Sequence, residues 1–165
     1  MVTEVAKGEK VKAERFFLTS STTDIVAKTD TQVTNFASRY TYAPIWTYTV
    51  PTGQVLVMKP EYRFSAYIED EATPAAEWLD TQQVRIEVWD ASKRKMQIPY
   101  YGLYLASKEE TDLEKMARLQ INDPILLQEG DQIFICGMAD VTVYTIDVSA
   151  SRFSLELERI KPSMF

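Results

Sequence analysis

Apolar and polar residues alternate with a period of two along most of the chain. From Tyr40 to Val50, the residues Tyr40, Tyr42, Pro44, Trp46, Tyr48 and Val50 share one parity, and Thr41, Ala43, Ile45, Thr47 and Thr49 share the other. Successive side chains of a strand point to opposite faces, so this pattern predicts a strand. Pro44 has no N–H to give a ladder, which puts the strand start after it or the strand at a sheet edge. Pro51-Thr52-Gly53 predicts a turn, since glycine takes positive φ without steric cost. Val55 to Met58 reads as a short buried strand ended by Pro60. Phe64, Ala66 and Ile68 alternate with Arg63, Ser65, Tyr67 and Glu69. Val84, Ile86 and Val88 alternate with Arg85, Glu87 and Trp89; the chain then turns at Asp90 to Lys93 and returns from Met96 to Leu105, a β-hairpin. Gln128-Glu129-Gly130-Asp131 predicts a turn ahead of the strand Gln132 to Cys136. Val141, Val143 and Thr145 alternate with Thr142, Tyr144 and Ile146. Phe153, Leu155 and Leu157 face away from Ser154, Glu156 and Glu158, the pattern of a strand with one wet face.

Two stretches depart from this period. Residues 107–119, SKEETDLEKMARL, place Leu113, Met116 and Leu119 or Ala117 at helical spacing, with Glu109, Glu110, Asp112 and Glu114 in the first turns. Carboxylates there match the positive end of a helix dipole, so a short helix is predicted. Residues 1–15 mix charges of both signs with only Val2, Val5 and Val11 as large aliphatics. That is too little apolar surface to bury, and it predicts a flexible N-terminal arm that orders against a neighbour. The fold class expected is therefore mainly β: an antiparallel β-sandwich, jelly-roll-like, of about eight to ten strands, with one short helix near 107–119. Residues 16–165 form its single domain. Phe64, Ile68, Val84, Ile86, Val88, Ile133, Ile135, Val143, Phe153, Leu155 and Leu157 are its expected core.

Composition narrows the chemistry. The 165 residues include no histidine, one cysteine and five glycines. Triads built on histidine, histidine-ligated metals, an internal disulfide, a cysteine-rich zinc site and a glycine-rich phosphate loop are all excluded. No cofactor or metal is expected. The net charge is −6, and the one basic run, Lys93-Arg94-Lys95, falls in the hairpin tip. Nucleic acid is not an expected partner, because binding it needs clustered cations to replace phosphate counterions. Between Glu61 and Asp80, six carboxylates stand against Arg63 alone. This acidic stretch favours a basic partner surface. No apolar run suits a signal peptide or reaches the roughly 20 residues of a membrane span. A soluble chain made in a cytoplasm, with no membrane partner, is expected.

Few side chains invite a chemical role. Glu156 and Glu158 share a strand face about 7 Å apart, within the span of a glycosidase pair, though on the face expected to be wet. Glu69-Asp70-Glu71 is an oxygen-rich run without the spacing or glycine of a calcium loop. Cys136 lies in an apolar strand and reads as a small buried hydrophobe. The aromatic stripe Tyr40, Tyr42, Trp46, Tyr48 allows three roles: core packing, a subunit interface, or a platform for sugar rings. Trp89 joins the sugar-platform alternative, and Tyr100, Tyr101 and Tyr104 form a second group with the same choices.

The run YTVPTGQVLVMKPEYRFSAYIED, followed by LLQEGDQIFICG, resembles the β-sandwich structural proteins of tailed-virus particles, and among them the capsid decoration or cement proteins. The resemblance spans residues 43–160. It implies a non-enzymatic virion protein, made in a host cytoplasm, that binds the outside of a shell and staples its subunits. It further implies a homo-oligomer, a trimer, contacting a major capsid protein or another virion protein. The interface residues expected are Tyr40, Tyr42, Trp46, Tyr48 and, in the arm, Val2, Val5 and Val11. A carbohydrate-binding module and a tail or spike receptor-binding subunit are the alternatives.

Overall fold

The computed structural model describes residues 11–27, 42–70, 83–103, 117–138 and 146–162. These residues form eleven strands: β1 (Val11–Thr19), β2 (Val26–Ala27), β3 (Ala43–Thr49), β4 (Val55–Met58), β5 (Arg63–Asp70), β6 (Gln83–Trp89), β7 (Lys95–Leu103), β8 (Ala117–Arg118), β9 (Ile125–Leu127), β10 (Gln132–Met138) and β11 (Ile146–Pro162). They build two antiparallel sheets, as the alternation predicts. One sheet runs β2-β3-β10-β6-β7. The other runs β9-β4-β11-β5-β8, with β1 also paired to β11.

The 17-residue β11 is the spine of the second sheet. Ser154 and Leu155 have partners in both β1 and β5, and Glu158 to Ile160 in both β1 and β4. So β1 runs along one edge of the spine, and β4 and β5 share the other. Val11 to Arg15, expected in the arm, form the first half of β1 and pair with Pro162 to Glu158. That corrects the arm boundary. The ladder to the end of the chain supplies the backbone partners that this stretch cannot find locally. The rest of the expected arm, residues 1–10, lies outside the described residues.

The predicted helix is also corrected where it is described. Ala117–Arg118 pair with Phe64 and Arg63, and the Leu119 N–H donates to the Tyr62 carbonyl at 3.0 Å. Leu119 is buried in the core, so tertiary burial overrides a helical propensity that is only a weak prior. Residues 107–116 of that prediction lie outside the described residues.

The core fills the space between the sheets. Phe64, Val84, Ile86, Val88, Ile133, Ile135, Phe153, Leu155 and Leu157 are buried as expected, while the side chains of Ile68 and Val143 are outside the described set. Trp46 packs on Phe153 with ring centroids 5.0 Å apart, and Phe64 packs on Tyr100 at 5.1 Å. Each pair takes one ring from each sheet, so these contacts hold the two layers together.

At one end the strands are joined by short turns bonded to each other. The Val50 N–H donates to the Asp131 carbonyl, the Gly53 N–H to Glu129 Oε1, and the Ala91 N–H to Asp131 Oδ1. The turns at 51–54 and 128–131 place Gly53 and Gly130 at φ 79° and 89°, where a side chain would be strained. The tip of the β6–β7 hairpin is tied by Asp90, whose carboxylate accepts from the Ser92 and Arg94 N–H groups and from Arg94 Nε. These bonds, the Arg94 N–H first, hold the Asp90 carboxyl below its usual range.

Candidate assembly surfaces

The aromatic stripe does not stay on one face. Trp46 stands opposite Ile135 and Pro44 opposite Cys136, so Ile45 is an extra residue on β3, a β-bulge. A bulge of one residue exchanges the faces beyond it. Trp46 and Tyr48 sit opposite the core residues Ile135 and Ile133, at 1% and 4% exposure. The expectation that these two meet a neighbouring subunit is thereby corrected: their side chains close the sandwich itself. A sugar platform built on them is absent for the same reason. On the other side of the bulge, Tyr42 lies on the outer face, half-buried, beneath the Arg85 guanidinium, 3.8 Å from its ring centroid. Tyr40, Val2 and Val5 are outside the described residues. Val11 opens β1, and only its backbone is described.

The outer face of the β2-β3-β10-β6-β7 sheet holds a feature that alternation alone marks as wet. Arg85, Glu87 and Trp89 alternate with the core residues of β6, yet Glu87 is buried. Its carboxylate accepts from Arg85 Nε at 2.7 Å and Trp89 Nε1 at 2.8 Å, with Lys95 Nζ 3.9 Å away. Trp89 in turn packs edge-on against Phe134 at 5.6 Å. Both oxygens of the buried charge therefore have donors, as a buried carboxylate requires. Cys136, opposite Arg85, is buried, and that burial pushes its thiol pKa up. A thiol held neutral in this way is a poor nucleophile.

Desolvation raises the Tyr42 hydroxyl from 10 to about 12, against the lowering influence of Arg85. Burial raises Tyr48 and Tyr100 in the same direction. In each case the folded state holds the phenolic proton more tightly than the unfolded chain does. The stability that Tyr42 contributes is complete below pH 10 and is lost as pH rises through about 12, and Tyr48 and Tyr100 act in the same direction. Urea unfolding at pH 9 and pH 11.5 is expected to show a lower midpoint at the higher pH, and Tyr42→Phe is expected to reduce that drop.

Glu156 and Glu158 do share the outer face of β11, but each is engaged by a cation. Arg15 Nη1 lies 3.3 Å from Glu156 Oε2, and Lys59 Nζ lies 3.2 Å from Glu158 Oε1. Glu156 also accepts the Arg63 N–H at 3.1 Å. The two cations flank the buried Tyr62 ring at 5.3 and 5.8 Å. This is an ion-paired surface that covers an aromatic ring. Glu69 and Asp70 close β5 opposite Asp147 and Ile146, and Glu71 lies outside the described residues. Among the described residues, no three side chains of metal-ligating type gather, and no helix is long and apolar enough to cross a membrane.

What the described surface offers instead is strand edges. β7 ends the first sheet. Its Pro99 and Tyr101 carbonyls accept from the Gln120 N–H and Nε2, which covers that half of the edge. From Lys95 to Ile98 the edge is exposed and has no strand partner among the described residues, and it carries Met96 and Ile98. β2 ends the same sheet on the opposite side, with Val26 62% exposed. β1 edges the second sheet, with Phe17 exposed. Open edges with exposed apolar residues are templates for pairing with another chain.

No protein-family model matches the sequence, and no curated protein matches it. Among solved structures, the fold is similar to VP17, a capsid protein of bacteriophage P23-77, with a TM-score of 0.59 over 94% of this chain and 99% of that one, at 7% identity. It is also similar to the VP16-VP17 complex of the two major capsid proteins of the same phage, with a TM-score of 0.55 over 90% of this chain and 98% of that chain, at 7% identity. At 7% identity the likeness is one of fold. The resemblance to β-sandwich proteins of phage particles is met at that level.

Proposed function

We propose that this chain is a non-enzymatic structural protein of a virus particle. The observation that carries the reading is the end-to-end match of fold: nearly all of this chain superposes on nearly all of a phage capsid protein. A shared fold alone does not assign a role. The surface adds to it. The carboxylates nearest to a catalytic pair are engaged in ion pairs, and the sheet edges carry exposed apolar residues on strands that have no second strand partner among the described residues. That is the equipment of a protein that joins others.

The sequence resemblance narrows the reading to a decoration protein on the shell exterior, acting as a homo-oligomer, a trimer, beside a major capsid protein. The full-length structural match favours a second place, in the shell wall itself. Dissociation separates the two. Mild denaturant strips a decoration protein and leaves a closed shell, whereas loss of a wall subunit breaks the shell. Electron microscopy of particles after graded urea treatment reads the difference, and particles that lack the chain from the outset contradict both.

Residues 1–10, with Val2 and Val5, serve in this reading as the arm that fastens the domain to a neighbour, adding affinity through effective concentration. A cut after Lys10 spares β1. Removing residues 1–10 is expected to leave the unfolding midpoint unchanged and to weaken co-sedimentation with particles by roughly a hundredfold. Equal attachment of the shortened and full chains contradicts the arm's role.

A further inference from the structure

The two ends of the β2-β3-β10-β6-β7 sheet are complementary in charge and in polarity. At one end the hairpin tip presents Lys93, at φ 66° and exposed, and Arg94, with 79% of its side chain exposed, followed by the open β7 edge with Met96 and Ile98. Arg94 is tied to Asp90, but Lys93 makes no ion pair among the described residues. At the other end Asp24, exposed at φ 71°, precedes the exposed Val26. Asp24 also has no ion pair among the described residues. It lines a groove with Thr49, Pro51, Thr52 and Glu129, so two carboxylates border one open depression.

Strand direction decides how these ends can meet. Each neighbour in this sheet is antiparallel to the next. With five strands, the two edge strands β2 and β7 run the same way. A second copy placed beside the first in the same orientation therefore brings β7 alongside β2 in parallel. The ladders across the sheet set the level of each edge. Val26 pairs with Thr47, Thr47 with Phe134 and Phe134 with Glu87, which lies between the partners of Gln97 and Tyr100; Thr49 pairs with Gln132, Gln132 with Trp89 and Trp89 with Lys95. A copy set level with the first therefore brings Val26 beside Ile98, and Asp24, two residues earlier, beside Lys95 and the cationic tip.

We propose that the chain associates head to tail with a second copy of itself, the Lys93–Arg94 tip of one copy seated at the Asp24 and Glu129 groove of the next, and β7 from Lys95 to Ile98 lying along β2. The contact is heterologous, so it repeats: it closes into a ring if the rotation per copy allows and otherwise extends as a row. Opposite charges fix the register and speed the encounter, and the apolar residues on both edges exclude water. This contact rests on the assembly reading above and specifies its surface.

Sedimentation velocity on the full chain, across concentration and at low and high salt, tests it. The wild type is expected to sediment above the 18.9 kDa monomer and to dissociate as salt rises. Lys93→Glu and Asp24→Lys are each expected to weaken association roughly tenfold. The double variant restores an opposite-charge pair across the contact and is expected to regain most of the loss. Unfolding midpoints of each variant separate loss of contact from loss of fold. A monomeric wild type at low salt, single variants without effect, or a double variant no better than the singles overturns the contact. Such a result leaves the particle reading standing, because that fails only when the chain is missing from particles.

Discussion

Replacing Trp46 by alanine is expected to cost about 3–5 kcal/mol of folding stability. The side chain is 1% exposed and its ring packs against Phe153 of the opposite sheet. Truncation removes the largest fully buried side chain of the protein's described core and leaves a cavity between the layers. Close-packed interiors relax only partly around such a gap, so lost transfer energy and lost contacts add. A typical domain has about 5–15 kcal/mol in all, so the variant loses a large share of its margin. Urea unfolding should show a lower midpoint with an unchanged slope. Trp46→Phe keeps a ring against Phe153 and should cost less. If Trp46 met a neighbouring subunit instead, alanine would leave the isolated chain's stability nearly untouched and impair only assembly.

Replacing Glu87 by alanine is expected to cost about 3–5 kcal/mol as well, by a different route. The carboxylate is the acceptor for Arg85 and for the Trp89 indole N–H. Its removal leaves a mostly buried guanidinium without its anion and an indole donor without a partner. The penalty comes from those stranded groups more than from the lost attraction. Arg94→Ala, which removes the exposed hairpin ion pair, sets the scale for comparison and should leave the unfolding midpoint nearly unchanged. The double variant Glu87→Ala with Arg85→Ala should cost less than the sum of the single variants, because neither charge is then left alone. Additive losses in that cycle would mean that the two groups do not act as a pair.

The β architecture was legible wherever one face of a strand is dry and the other wet. Val84, Ile86 and Val88 on β6, and Phe153, Leu155 and Leu157 on β11, point inward as their alternation requires. The turns were legible from Gly53 and Gly130, because positive φ restricts the choice of residue. Ile45 was not legible. A bulge adds one residue without changing the local composition, yet it divides Tyr42 from Trp46 and Tyr48 and so splits the aromatic stripe between two faces. Val11 to Arg15 have the composition of an arm because their partners, Pro162 to Glu158, lie at the far end of the sequence, where no local period reaches. Residues 117–119 carry a helical spacing in the sequence, but the partners that hold them extended, Tyr62, Arg63 and Phe64, lie more than fifty residues away, where no local period reaches. Glu87 sits in a strand that alternates cleanly. Only its neighbours Arg85 and Trp89, two residues to either side on the same face, hint that the charge is held in place.

The central claim is that this chain is a repeated structural component of a virus particle. Quantitative mass spectrometry of gradient-purified particles, from cells that carry this sequence, tests it most directly. The account predicts the chain in the particle fraction at a copy number in fixed ratio to the major shell protein, and unchanged through a second round of purification. A chain absent from that fraction, or one whose amount falls with each round while the shell protein's does not, would contradict it.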